Sequence, residues 1–133
     1  MADANEMGHV YAEVTFLGPS RTETRRLMVD TGALYTWIPA SLAESMGIGR
    51  EELRRFRLAT GEIVHRWVGY VTLEVLGKRA PTIIVFADEG TAGLLGMHAL
   101  EGLLLEVDPA RNALKESDAA NAYQCSEPPG LEA

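Results

Sequence analysis

Cysteine is almost missing from these 133 residues: Cys125 stands alone, so no intrachain disulfide is available. His9, His65 and His98 are scattered without metal-ligand spacing, which leaves no Cys/His cluster for structural zinc and predicts surface or hairpin positions for all three. No apolar run approaches the roughly 18–20 residues that would span a bilayer. The opening MADANEMGH also lacks a basic stretch followed by an apolar one. Positive charge is in deficit, with 12 Lys and Arg against 19 Asp and Glu for a net charge of -7. The basic cluster Arg50, Arg54, Arg55 and Arg57 is interleaved with Glu51 and Glu52, the pattern of a solvated face and not of a stripe that follows phosphates. These absences predict a cytoplasmic protein with neither a membrane nor a nucleic acid as partner. Internal repeats are lacking as well.

What is present suits a folded core. Hydrophobic residues make up 47% and charged residues 23%, far from the composition of a disordered chain, and the length fits one domain. Residues 9–17 are rich in Val, Tyr, Phe and Thr and run into the turn signal Gly18-Pro19-Ser20, which predicts a hairpin whose second arm is 24–29. A short strand over 34–38 is closed by Pro39, and Ser41-Leu42-Ala43-Glu44 has the form of a capping box opening a helix that Gly47 ends. Residues 56–75 read as a long hairpin with its tip at Thr60-Gly61-Glu62, and 78–86 as a further strand. Leu94-Leu95-Gly96 precedes a helical turn over 97–101 ended by Gly102, and strands follow at 103–107 and 112–115 through Asp108-Pro109. Many short strands with one or two short helices predict an all-β, closed barrel-like domain over residues 9–116. Residues 1–8 form an N-terminal segment, and 117–133, including Cys125, are expected to be a flexible tail.

Chemistry concentrates at Asp30-Thr31-Gly32. The tripeptide alone is a weak signal, since an Asp commonly begins a turn. Here it lies between the apolar run Leu27-Met28-Val29 and Ala33-Leu34-Tyr35-Thr36-Trp37-Ile38, so a strand ends on a partly shielded carboxylate. About sixty residues later come Leu94-Leu95-Gly96 and a helical turn.

In this order of parts the chain resembles the retropepsin-like (retroviral-type) aspartic peptidases over roughly residues 9 to 115. The resemblance implies an acid-protease barrel with a flap hairpin, in which Asp30 is catalytic and Thr31, Gly32 and Ala33 shape its loop. It implies that the hairpin bearing Thr60, Gly61 and Ile63 closes over a peptide or protein substrate. It also implies that the strand ending in the hydrophobic pair passes through the loop holding Asp30.

Some positions depart from the viral pattern. Leu34 and Tyr35 stand where acids usually bind the substrate backbone, and Met97 stands where an Arg often pairs with the first of them. Loss of charge on both sides suggests an apolar contact between Leu34 and Met97. Trp37 and Trp67 are expected in the core or a pocket wall.

One carboxylate cannot serve as general acid and general base on one peptide bond at the same moment, and the chain has one Asp-Thr-Gly. A homodimer that pairs two Asp30 side chains would supply the second, with no metal or organic cofactor required. The competing expectation is a dimerisation or peptide-binding module that keeps the fold without proteolysis.

Overall fold

The computed structural model describes residues 8–117; residues 1–7 of the expected N-terminal segment and 118–133 of the expected tail, with Cys125, lie outside them. Within this span the chain is mostly strand, with two short helices.

The alternation in residues 10–17 forms strand β1 (Val10–Leu17), which sends Val14 and Phe16 into the interior and Glu13 to solvent. It pairs antiparallel with β2 (Thr22–Asp30), from Val10 opposite Val29 to Leu17 opposite Thr22. At the connecting turn a side chain on Gly18 would lie 2.6 Å from the Cβ of Met46, so only glycine lets the turn pack this closely. β3 (Thr36–Pro39) leads into helix α1 (Ala40–Ser45). The hairpin β4 (Glu52–Arg57) and β5 (Ile63–Val75) follows, then β6 (Lys78–Ala87), the short β7 (Leu94–Gly96), helix α2 (Met97–Leu103), and the small hairpin of β8 (Leu105–Asp108) and β9 (Ala113–Glu116).

The main sheet runs β1-β2-β7-β3-β6-β5-β4, and a further pairing of Phe16 with Leu73 joins β1 to β5. Six strands thereby close into a barrel and β4 extends beyond it as an edge. Inside lie Phe16, Ile38, Met46, Leu73, Ile84, Leu95, Leu100 and Leu103, all at most 2% exposed. Burial of each such side chain contributes about 1.5–3 kcal/mol. The expected all-β barrel with two short helices is therefore the observed fold.

Several local expectations need correction. Ser41 and Glu44 form no capping box. Extended Pro39 (φ -55°, ψ 140°) precedes α1 with no side-chain cap of its own, and Glu89 reaches in from the loop after β6. Its carboxylate accepts the Ser41 N–H at 3.0 Å and the Ser41 hydroxyl, while Glu44 pairs with Arg50. The third strand begins at Thr36 and not at 34, because residues 31–35 are committed to the loop after Asp30. β4 begins at Glu52 and not at 56, so Arg54, Arg55 and Arg57 are part of a strand that Arg50 precedes. Gly102 does not end α2; it lies within the helix, where a Cβ would meet that of Ala80 at 3.4 Å, and Leu104 makes the left-handed exit at φ 57°.

Candidate active site

Asp30 is the last residue of β2, half-buried, and lies beside Gly96 in the parallel pairing of β2 with β7. The chain turns immediately: the Gly32 N–H donates to Asp30 Oδ1 at 2.9 Å, and the Ala33 N–H donates to the Asp30 carbonyl at 3.2 Å. A side chain on Gly32 would sit 3.3 Å from that same carboxylate oxygen, so glycine leaves the carboxylate accessible.

The loop is held from beneath. β7 threads between β2, which it pairs in parallel through Val29 and Leu95, and β3, which it meets antiparallel at Trp37 and Leu94. The first N–H groups of α2, which have no partner within the helix, donate to the loop: Met97 to the Ala33 carbonyl at 2.8 Å and His98 to the Leu34 carbonyl at 2.9 Å. The Gly96 N–H donates to the hydroxyl of fully buried Thr36 at 3.1 Å. Leu34 and Met97 thus take part in neighbouring backbone bonds and not in one with each other, and their side chains are 60% and 37% exposed.

Above this floor opens a cleft of about 640 Å³, bordered by Asp30, Gly32 and Ala33 on one side and by Phe56, Arg57, Leu58 and Ala59 of the β4–β5 hairpin on the other. Its wall is aromatic. Trp37 meets Phe56 edge-on with centroids 5.2 Å apart, and Tyr35 meets Phe56 at 6.2 Å. Arg54 donates to the Tyr35 hydroxyl at 3.0 Å and pairs with Glu52 at 3.1 Å. The hydrogen bond between Arg54 and Glu52 holds the Glu52 carboxyl below its usual range and pushes the Arg54 guanidinium up. Arg66 and Asp88, 2.8 Å apart, also border the cleft.

The residues expected around the site separate into two groups. Asp30, Gly32, Ala33 and Trp37 border the cleft, whereas Thr31 is exposed beside it and Thr60, Gly61 and Ile63 stay on the outer tip of the hairpin. At that tip the Gly61 N–H donates to the Leu58 carbonyl, the Leu58 N–H donates to the Glu62 carbonyl, and Gly61 adopts φ 90°. Trp67 is no core residue; it is 40% exposed on the hairpin's outer face.

Sequence reasoning missed Phe56 and Leu58 as cleft residues, although alternation with Arg54 could have shown that the three share a face. Arg66 and Asp88, 22 positions apart, carry no local signal at all. Among the described residues no three His, Cys, Asp or Glu side chains gather as a metal site, and no helix is long and apolar enough to cross a membrane.

Residues 12–99 match the model of a family described as aspartyl protease, a span that includes both Asp30 and the Leu94-Leu95-Gly96 strand. No individual curated protein matches the chain.

Proposed function

This chain belongs to the aspartyl protease family, and from that premise we propose that it is an aspartic endopeptidase acting as a homodimer, with Asp30 of each copy forming the catalytic pair. The reading rests on one observation above all: a half-buried carboxylate at a strand end, fixed by the Gly32 N–H, on the floor of a peptide-sized cleft.

Two like-charged carboxylates about 3 Å apart cannot both ionise, so the pair shares one proton. The charged Asp30 takes a proton from water as the oxygen attacks the scissile carbonyl carbon, and the protonated Asp30 of the other copy gives its proton to the carbonyl oxygen. The resulting diol collapses by breaking the C–N bond: the now-protonated carboxyl gives its proton to the amine nitrogen, and one diol hydroxyl returns its proton to the charged carboxylate as the acid forms. Thr31, Gly32 and Ala33 keep the loop in place, and the hairpin bearing Thr60, Gly61 and Ile63 closes over an extended substrate. Tyr35, Trp37 and Phe56 favour apolar side chains beside the scissile bond.

The test is sedimentation alongside cleavage of denatured protein over a dilution series. Specific activity should fall as the dimer dissociates, pepstatin should suppress it, and Asp30→Asn should abolish it while the dimer persists. A fully active monomer, or an Asp30→Asn chain that cleaves at the wild-type rate, would end the proposal. Binding of peptides without any cleavage would return the non-proteolytic module.

A further inference from the structure

The β4–β5 hairpin has a second face, of which the cleft uses only Arg57 at its end. Along β4, Arg54 and Phe56 turn inward, so Leu53 and Arg55 point out, while Arg57 at the strand's end is exposed and also borders the cleft; along β5, Ile63, His65 and Trp67 point out. The register sets Leu53 opposite Trp67, Arg55 opposite His65 and Arg57 opposite Ile63. Leu53 is 51% and Trp67 40% exposed, an unusual cost for a strand pair at the edge of a sheet. Beside them lies a groove of about 410 Å³ bordered by Leu53, His65, Trp67 and Phe86.

Charge says what would cover this face. Residues 50–67 hold five of the chain's 12 basic residues but only three of its 19 acids, a net +2 within a chain of -7. Arg50, Arg54 and Arg66 are occupied by Glu44, Glu52 and Asp88. Arg55 and Arg57 have no acidic partner among the described residues. The acids at the groove, Asp88 and Glu89, are themselves engaged by Arg66 and Ser41. Two such faces on two copies would repel each other. Two unpaired arginines are also too few for a phosphate backbone or a lipid surface, which draw on many cations together.

We propose that the outer face of the β4–β5 hairpin docks an acidic polypeptide segment, with one apolar side chain set against Leu53 and Trp67 and its carboxylates paired with Arg55 and Arg57. Leu53, Trp67 and Arg55 lie outside the cleft that holds Asp30, and Arg57 stands at the border between that cleft and this face. It would let a net-negative protein engage an acidic partner that its remaining surface repels.

The probe is a synthetic peptide in which Asp and Glu flank a single Phe, titrated into the full chain carrying Asp30→Asn so that it is not cut. Calorimetry and Trp67 fluorescence report binding. The expected result is saturable binding that weakens about tenfold or more with Arg55→Glu or Trp67→Ala. It should also weaken on raising NaCl from about 50 to about 500 mM. Arg55→Gln, with an unchanged thermal melt, separates lost charge from lost folding and should weaken binding less. Equal binding of a peptide with Asn and Gln in place of the acids, or indifference to the variants, overturns the proposal. Tighter binding of an oligonucleotide or of anionic lipid vesicles through the same residues overturns it as well.

Discussion

Asp30 and Gly96 lie side by side where β2 runs parallel to β7, so the end of one strand and the start of α2 hold the same loop from two directions. The Gly32 N–H bonds the carboxylate itself, while the loop around it is held by a segment more than sixty residues away. Each bond between the two segments gives a separate handle on the site.

A side chain at Gly96 would press into the carbonyl carbon and oxygen of Tyr35 and come within 3.0 Å of the Leu34 carbonyl. These are backbone atoms, so no rotamer change relieves the overlap. Gly96→Ala should therefore destabilise the fold by about 3 kcal/mol, at the upper end of overpacking costs. Urea denaturation checks this, and a midpoint equal to wild type would show that the loop yields easily.

Thr36 offers a gentler perturbation. Its hydroxyl, fully buried, accepts the Gly96 N–H. Thr36→Val keeps the shape but leaves that N–H without a partner, at an expected cost of about 1–3 kcal/mol. Thr36→Ser retains the acceptor and should recover much of the loss. If Val and Ser variants melt alike, the hydrogen bond contributes nothing.

The parts carried by adjacent residues were legible in the sequence, and the parts carried by distant ones were not. Asp30 at a strand end, Leu94-Leu95-Gly96 before a helix, and a hairpin tip at Gly61 each follow from a few neighbouring residues, and each is present. The support of α1 by Glu89 and the Arg54–Tyr35 bond join positions 48 and 19 apart, where no periodicity connects them. Ser41 with Glu44 satisfied a local rule that Glu89 overrode. The left-handed Leu104 is of the same kind, since Gly102 satisfied the local stop signal while its lack of a side chain served packing against Ala80.

Glu89 carries a pH dependence whose sign can be worked out. Hydrogen bonds from the Ser41 hydroxyl and N–H lower its pKa in the folded chain. Its contribution to stability is therefore complete above the ordinary carboxylate value and is lost as pH falls through the lowered folded value. Glu89→Gln removes the charge but not the shape. Urea denaturation of the two proteins should differ most near neutral pH and converge as the solution is acidified below the usual carboxylate range. A gap that stays constant down to strongly acidic pH would mean that charge at Glu89 is irrelevant to α1.

Gly61 tests the hairpin without touching the cleft. Its φ of 90° lies where side chains are strained, yet nothing stands within 4 Å of the position a Cβ would occupy. Gly61→Val should therefore cost about 1–2 kcal/mol through backbone conformation alone. Reshaping of the tip follows, because the bonds from Gly61 to Leu58 and from Leu58 to Glu62 depend on that conformation. If this tip closes over a bound peptide, turnover should fall by more than the loss of folded protein explains. Comparing kcat and KM with the folded fraction from a parallel urea titration separates the two effects. Kinetics that track the folded fraction alone would leave the hairpin a structural arm with no part in covering substrate.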